Sequence, residues 1–223
     1  MTDVDPKRKD PAQPLGLRER GKQERLRRIK EAAFEAFRSE GYDGASTRDI
    51  ARMADVSIGT LFVYAKDKRD LLFLVMNEDL DRISEDSIAA IPGRRGPVVD
   101  RIVALLTPIY EYFAKEPALA RMILSESSRT HETVRTDKEQ AARYAARMER
   151  WQAAIAEILR DAGERGVLEI GDDAGVLARA IFAVHLGEIR RWLMGARPRP
   201  KEGVAELHRA VRAVIGFRER GDV

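Results

Sequence analysis

The chain has 223 residues, no cysteine, and a formal net charge of only +3 at neutral pH. This length allows one large helical domain or a small domain joined to a larger one, and the lack of cysteine excludes disulfides, zinc-thiolate sites and cysteine nucleophiles. The amino-terminal residues contain no apolar signal segment, and Arg179 interrupts the longest apolar stretch near the C-terminal end. We therefore expect a cytoplasmic protein that does not cross a membrane.

Basic residues are concentrated in the first third of the chain. Residues 7 to 30 hold ten basic residues against three acidic ones, while charges of opposite sign cancel over residues 71 to 223. A basic region joined to a neutral body favours a polyanionic partner, with nucleic acid as the leading candidate. The prolines and polar residues at the start predict a disordered basic arm over residues 1–20. Such an arm either enters the minor groove of DNA or is merely a solvated tail.

Three short helices are predicted after the arm. Apolar residues at three- and four-residue spacing predict an amphipathic helix that ends at Gly41. Ser46 begins a variant of the capping box and predicts the start of the second helix. The third helix is predicted within DVSIGTLFVYAKDK, residues 55–68. Short helices joined by short turns are the outline of a helix-turn-helix unit, which we expect over residues 21–67.

Small residues at the front of the third helix suit close contact with DNA. Ser57, Gly59 and Thr60 would let the backbone approach the bases, while Val56 and Leu61 can face inward and fix the helix. Several polar groups nearby can donate to phosphate oxygens: the hydroxyls of Thr47, Ser57, Thr60 and Tyr64, and the ammonium of Lys68. An ordinary helical corner would explain the apolar pattern but not these hydroxyl, glycine and lysine positions.

Longer helices are predicted beyond this unit, with proline or glycine near their ends. They cover residues 71–90, 98–115, a short segment from Pro117, a long segment ending at Gly163 or Gly166, residues 174–194, and a last helix after Pro200. No β-alternating run of useful length occurs. The predicted fold class is all-α with about nine helices, in which an N-terminal helix-turn-helix domain precedes a larger helical bundle over residues 68–223.

The run STRDIARMADVSIGTLFVYAKDKRDLL, residues 46–72, resembles the signature of the TetR family of bacterial transcriptional regulators. The resemblance implies that Thr47 and Arg48 touch DNA and that Lys68 binds a phosphate. It implies a recognition helix whose contact residues are Ser57, Ile58, Gly59, Thr60, Phe62 and Tyr64. Arg48 is the best candidate for a base contact, because a guanidinium can bind a guanine edge with two hydrogen bonds.

The sequence departs from the family pattern at three positions. Asp55 stands where the family has a turn glycine, which is tolerable because aspartate can adopt the left-handed conformation. Phe62 lacks the hydroxyl of the usual tyrosine and so loses a possible phosphate contact. Ala65 replaces an aromatic residue, so the packing between the third and fourth helices is expected to differ from the family pattern.

The resemblance also implies a homodimer, in which the last two long helices pair with their copies, and a cavity for a small effector. Apolar residues that would supply part of the dimer interface are Val204, Leu207, Val211, Val214 and Ile215. Large or polar residues that would line the cavity are Tyr110, Phe113, Met122, Glu126, Trp151, Phe182, His185 and Trp192. Each of these residues is more often part of an ordinary core than of a ligand cavity, and as a set they favour an apolar or aromatic effector.

No catalytic or cofactor-binding motif occurs in the chain. His185 and Glu188 share a helix face, but no second pair of this kind exists, so we predict neither a metal site nor a cofactor. The leading hypothesis is a dimeric repressor that a small molecule releases from a palindromic DNA operator. Two alternatives stay open: a DNA-binding regulator without an effector, and a helical adaptor or enzyme that uses the bundle alone.

Overall fold

The computed structural model describes residues 16–93, 95–129, 138–169 and 173–216. Within these ranges the chain forms nine α-helices and no strand: α1 (Leu17–Gly44), α2 (Thr47–Met53), α3 (Ile58–Tyr64), α4 (Lys68–Ala89), α5 (Val98–Lys115), α6 (Pro117–Arg129), α7 (Lys138–Glu164), α8 (Ala174–Leu193) and α9 (Pro200–Gly216). The predicted all-α class is confirmed. None of the described helices is long and apolar enough to cross a membrane.

The first helix starts earlier than the sequence pattern indicates. α1 begins at Leu17, so residues 17–20 of the predicted disordered arm are helical, whereas residues 1–15 lie outside the described part of the chain. The helical path breaks at Gly41, where φ is +73°, a value that glycine adopts without steric penalty. α1 buries Ile29 and Phe37 completely and packs against α2 and α4.

Helix α4 connects the two halves of the molecule, because it packs against α1 on one side and against α5, α6 and α7 on the other. It begins three residues before the predicted start. Asp67 caps it by accepting a hydrogen bond from the backbone N–H of Asp70 at 2.8 Å. The carboxylate of Asp70 in turn accepts from the backbone N–H of Lys66 at 3.1 Å, which closes a reciprocal cap.

The C-terminal bundle is built from α5, α7, α8 and α9, with α6 packed at one end. α5 remains helical through Pro108. Asp173 occupies the N-cap position of α8 but makes no capping hydrogen bond with its side chain.

Three of the five α9 residues predicted to supply part of a dimer interface do not face a second copy. Leu207, Val211 and Ile215 are buried within the same chain, where α9 packs against α5 and α8, whereas Val204 and Val214 are partly buried. The protomer needs the buried side chains to close its own core, since each fully buried aliphatic side chain contributes roughly 1.5–3 kcal/mol.

Candidate functional site

The recognition helix α3 begins with two hydroxyl groups that bond each other. Ser57 is the N-cap residue, and its Oγ accepts a hydrogen bond from the backbone N–H of Thr60 at 3.0 Å. The same Oγ lies 2.8 Å from the Oγ1 of Thr60. The pair satisfies one of the free N–H groups in the first turn and fixes both hydroxyls at the front of the helix.

Large apolar side chains lie on the outer face of α3. Ile58, Phe62 and Val63 are 39%, 45% and 82% exposed, whereas Leu61 is fully buried. A Cβ added at Gly59 would meet nothing closer than the Ser57 Oγ, at 3.8 Å, so packing within this chain does not require glycine there. An exposed apolar face that permits close approach to the backbone is suited to a partner outside the chain.

The turn between α2 and α3 is held in place by α1. Asp55 has a φ of +52°, so the expectation that it adopts the left-handed conformation is confirmed. Its carboxylate accepts a hydrogen bond from Arg28 at 2.9 Å. This ion pair joins the turn to the first helix and thereby orients α3 relative to α1.

The start of α2 presents an unpaired cation. Ser46 caps this helix by accepting a hydrogen bond from the backbone N–H of Arg48 at 3.2 Å, as the sequence pattern predicts. The side chain of Arg48 is exposed, and no residue in the described ranges forms an ion pair with it. Thr47, which precedes it, is half-buried. The guanidinium is therefore available to a ligand.

Lys68 and Tyr64 already have partners within the chain. The Nζ of Lys68 donates to the backbone carbonyls of Asp43 at 3.2 Å and Ala45 at 3.1 Å, and it lies 4.8 Å from the ring centre of Tyr42. The hydroxyl of Tyr64 donates to the backbone carbonyl of Lys22 at 3.3 Å. An ammonium has three protons. The Lys68 Nζ therefore retains one proton for a further acceptor.

The first turns of α1 add positive charge beside α3. Arg18, Lys22 and Arg25 line a groove of about 540 Å³ together with Val63 and Tyr64. In the sequence these basic residues lie in or next to the predicted arm, and no local pattern connects them with the recognition helix. Their position next to α3 extends the basic surface that a phosphate backbone would require.

A second candidate site is a cavity inside the C-terminal bundle. Its volume is about 50 Å³, and its walls come from α4, α5, α6, α7 and α8. Four of the residues that the sequence analysis selected line it: Phe113, Trp151, Phe182 and His185. Ligand pockets usually measure roughly 300–1,000 Å³. A drug-sized molecule can therefore enter only if these walls move apart.

The cavity wall includes a buried cation that the sequence analysis missed. The side chain of Arg147 is only 4% exposed, and it donates to the carboxylate of Asp81 at 2.7 Å and to the amide oxygen of Asn77 at 3.1 Å. Burial lowers the pKa of Arg147, while the hydrogen bond to Asp81 acts in the opposite direction. Arg147 is four residues before Trp151, so a charge on an apolar helix face was the signal that could have identified it.

His185 is the other polar group in the wall, and it is buried without charge. Burial, together with the smaller effect of the nearby charge of Arg190, lowers its pKa to about 3, so the ring is neutral at physiological pH. The Nδ1 atom has no hydrogen-bond partner among the described residues. The ring packs against Tyr110 and Phe182, with centroid distances of 5.7 and 5.5 Å. Glu188, its neighbour on the helix face, pairs instead with Arg191.

Two aromatic residues expected in the cavity lie elsewhere. Tyr110 and Trp192 contact each other with ring centroids 5.0 Å apart, and α9 packs over both rings at Gly203. A Cβ at Gly203 would come within 2.8 Å of ring atoms of each, so only glycine lets α9 approach so closely. The Nε1 of Trp192 donates to the backbone carbonyl of Arg199. These rings therefore form the seam between α5, α8 and α9.

The two remaining expected cavity residues lie on α6. Met122 is half-buried and packs against the core without lining the cavity. The carboxylate of Glu126 lies 3.3 Å from the Nε of Arg69, and Arg69 also donates to the backbone carbonyl of Glu126 at 2.7 Å. This contact ties α6, whose Ile123 and Leu124 line the cavity, to the first turn of α4.

Comparison with known proteins identifies the amino-terminal helices. Residues 29–75 match the family model described as bacterial regulatory proteins, tetR family. The HTH-type transcriptional repressor KstR of Rhodococcus jostii is 31% identical over 103 residues, which is 46% of this chain and 47% of KstR. The HTH-type transcriptional regulator HbdR of an Aromatoleum species is 37% identical over 76 residues, which is 34% of this chain and 33% of HbdR. The chain thus spans half or less of the length of these relatives.

Solved structures match over most of the chain. The repressor FadR of Thermus thermophilus, a TetR family member solved with lauroyl-CoA, is 26% identical with a TM-score of 0.61, covering 85% of this chain and 92% of FadR. FadR of Bacillus subtilis, solved with stearoyl-CoA, has a TM-score of 0.63 at 18% identity, covering 85% of this chain and 97% of that protein, which shows a shared fold. The chain is thus similar to the TetR family of bacterial transcriptional regulators in its helix-turn-helix unit, residues 29–75, and to TetR family structures in the fold of its helical C-terminal domain.

Proposed function

We propose that this protein is a sequence-specific DNA-binding repressor, which works as a homodimer and leaves a palindromic operator when a small effector binds. The observation that carries the proposal is the outer face of α3. Exposed Ile58 and Phe62 flank an unobstructed Gly59, a combination that has no use inside the chain. A helix in the major groove needs such a face for contact with base edges and thymine methyl groups.

Positioning and base recognition are divided between helices in this proposal. The hydroxyls of Thr47, Ser57, Thr60 and Tyr64, the ammonium of Lys68 and the basic groove at the start of α1 contact phosphates. Arg48 reads a base edge, because its guanidinium is exposed and unpaired within the described residues. Lys68 has a double role, since it also fixes the connection between α1 and α2.

Dimerisation is supported by a face of α8 that the protomer leaves uncovered. Val176, Ala180, Ala183 and Gly187 are exposed at helical spacing. These small side chains would let the α8 helices of two copies approach closely, in continuation of the α8 and α9 pairing within each chain. A dimer would place two recognition helices about 34–36 Å apart, one turn of the duplex, on a palindromic site.

An effector with an apolar body is supported by the aromatic wall of the cavity. Phe113, Trp151 and Phe182 line it, and the similar FadR of Thermus thermophilus was solved with lauroyl-CoA. Because the cavity holds only about 50 Å³, the effector must bind an expanded conformation. Preferential binding to that conformation is the condition under which a ligand shifts a protein away from its DNA-binding state.

The experiment is selection from a randomised oligonucleotide pool at low ionic strength, followed by binding measurements on the enriched sequence. We expect a palindrome with two half-sites one helical turn apart. Arg48→Ala should weaken binding to this sequence by about 1–3 kcal/mol and relax the preference at one position of each half-site. Arg160→Ala removes the same charge from an exposed position of α7 and should bind like the wild type. Failure to enrich any sequence would refute the proposal.

Two alternatives make different predictions. A regulator without an effector would select a palindrome, but no small molecule would raise its unfolding temperature. A helical adaptor or enzyme would select nothing and would be indifferent to the Arg48 substitution. The named relatives are transcriptional regulators, and we assign this chain no catalytic role.

A further inference from the structure

Arg147 is a charged residue in an otherwise mainly apolar cavity wall. Its guanidinium is almost completely buried in the wall of a cavity whose other lining is mainly aromatic and aliphatic. Burial of a charge is unfavourable unless a partner compensates for it, and an apolar residue of similar size would fill this space at lower free energy. A charge in this position therefore indicates a requirement beyond packing.

Positive charge exceeds negative charge around this wall. The carboxylate of Asp81 on α4 is contacted by three guanidiniums on α7: those of Arg143 at 2.5 Å, Arg147 at 2.7 Å and Arg150 at 3.6 Å. Burial acts to raise the pKa of Asp81, but hydrogen bonds from Arg147 and Arg143 outweigh it and hold the pKa below its usual value. Water screens the charges of Arg143 and Arg150, which are 41% and 43% exposed, but not that of the buried Arg147. Because Asp81 is shared among all three cations, the remaining potential at Arg147 favours a second anion.

A second polar group in the same wall lacks a partner. The Nδ1 of His185 is buried and makes no hydrogen bond within the described ranges, although the ring lines the cavity together with Arg147. Unpaired buried polar atoms are rare because each is destabilising by about 1–3 kcal/mol. A ligand with an oxygen at its head would satisfy this atom.

We propose that the effector is an amphiphile with a carboxylate head, which binds Arg147 in place of Asp81 while its apolar tail lies among Phe113, Trp151 and Phe182. The inference rests on the proposed function and specifies both the effector class and the switch. Without effector, Asp81 is an internal substitute for the ligand carboxylate and holds α4 against α7. With effector, Arg147 exchanges one carboxylate for another, so Asp81 keeps only the more exposed Arg143 and Arg150 as partners and the attachment of α4 to α7 is weakened.

Helix α4 carries this change to the DNA-binding half. Asp81 is thirteen residues from Lys68, or about 20 Å along a rigid helix at 1.5 Å per residue. At that end Lys68 holds the connection between α1 and α2. A tilt of α4 that begins at Asp81 therefore moves the recognition helices of the two protomers relative to each other.

The test compares probes that share a tail and differ in the head: sodium decanoate below its micelle concentration, methyl decanoate and decan-1-ol below their solubility limits, and lauroyl-CoA as a thioester. Unfolding temperature and release of the selected DNA are measured for each. Decanoate should raise the unfolding temperature and release DNA at concentrations about tenfold lower than the ester or the alcohol, because a hydrogen-bonded charge is lost in both.

Two variants separate recognition from folding. Arg147→Met should abolish the preference for decanoate over its ester. Asp81→Asn leaves Arg147 charged but replaces its internal competitor with a weaker one, so decanoate should bind about tenfold more tightly. A damaged fold would not produce a gain in affinity. Asp161→Asn is the matched control, because this carboxylate of α7 pairs with Arg101, which lies outside the cavity lining. Its decanoate affinity should equal that of the wild type.

Several outcomes would overturn the inference: equal affinity for decanoate and its ester, unchanged or weaker decanoate binding by Asp81→Asn, or a response to lauroyl-CoA alone. Failure of the proposed function would look different. In that case no DNA is selected, but the thermal shifts of the wild type and the variants still show whether Arg147 binds a carboxylate.

Discussion

The recognition helix and the cavity wall depart from the usual distribution of residues in opposite directions. α3 exposes the large apolar side chains of Phe62 and Val63, whereas α7 and α8 bury the polar groups of Arg147 and His185. Each departure is unfavourable for the isolated chain, and in the function proposed above each is explained by a partner from outside. The difference lies in the partner. Duplex DNA has a constant shape and requires residues at fixed spacing along one short segment, whereas an effector cavity is assembled from five helices in no fixed order.

The pH dependence of stability tests the cavity side of this comparison and should show the largest effect. The pKa of His185 is about 3 in the folded protein against 6.5 as its reference value, so between these limits the unfolded state binds more protons. Its contribution to stability is complete above pH 6.5 and is lost as the pH falls toward 3, with a slope that approaches about 1.4 kcal/mol per pH unit. His185→Phe should flatten the profile between pH 6.5 and 4 in denaturant unfolding at fixed protein concentration. If the slope did not change, His185 would not be a neutral, buried group in the folded protein.

The seam at Gly203 tests whether Tyr110 and Trp192 belong to the bundle and not to the cavity. Gly203→Ala places a Cβ 2.8 Å from both rings and should lower the free energy of unfolding by about 1–3 kcal/mol. Gly175→Ala in α8 is the control, because its Cβ would lie 3.8 Å from the mobile end of Arg179. The control should be neutral or stabilising by up to about 1 kcal/mol. If the two substitutions changed the free energy of unfolding equally, α9 would not pack closely on the two rings at Gly203.

The cap of α3 tests the DNA-binding side. Ser57→Ala removes the oxygen that accepts from the N–H of Thr60 and should lower stability by about 1 kcal/mol, measured by urea unfolding. Ser39→Ala makes the same chemical change within α1, where the hydroxyl donates to the backbone carbonyls of Glu35 and Ala36 and caps no amide. We expect no loss there, since alanine is favourable inside a helix. If Ser57→Ala and Ser39→Ala changed the free energy of unfolding equally, Ser57 would not act as a helix cap.

Substitutions at Asp55 should change stability least. They separate the contribution of the backbone conformation in this turn from that of the side chain. Asp55→Gly relieves the left-handed strain but loses the exposed ion pair with Arg28, so the change in unfolding free energy should be within about 0.5 kcal/mol of zero. Asp55→Ala keeps the strain and also loses the pair, and should be destabilising by about 1–2 kcal/mol. If alanine and glycine behaved alike, the φ of this residue would not be the controlling factor.

The recognition helix was predictable because its determinants are local. Ser57 caps the helix three residues before the amide it binds, and Asp55 turns the chain two residues earlier, so both signals can be seen in the sequence itself. The apolar pattern of α4 starts only at Leu71, and the cap that begins the helix at Lys68 depends on the hydrogen bond between Asp67 and the amide of Asp70.

The cavity was only partly predictable, because contacts between distant residues decide which aromatic side chains line it. Tyr110 and Trp192 resemble Phe113 and Trp151 in composition and spacing, and only the approach of Gly203 shows that they belong to a seam. Arg147 was overlooked because a charged residue is usually assigned to the solvent. Its partner Asp81 lies 66 residues away in the chain, which no local pattern connects.

Two consecutive side chains at the start of α4 point to different parts of the molecule. Lys68 donates a hydrogen bond to the backbone carbonyl of Ala45, just after α1, and its neighbour Arg69 donates one to the backbone carbonyl of Glu126 in α6. A single helical turn therefore carries both attachments. We expect that this DNA-binding unit can be joined to the bundle of another regulator on two conditions: the junction follows this turn, and the new bundle supplies a carboxylate for Arg69. Chimeric regulators built in this way would inherit operator choice from one parent and chemical sensitivity from the other.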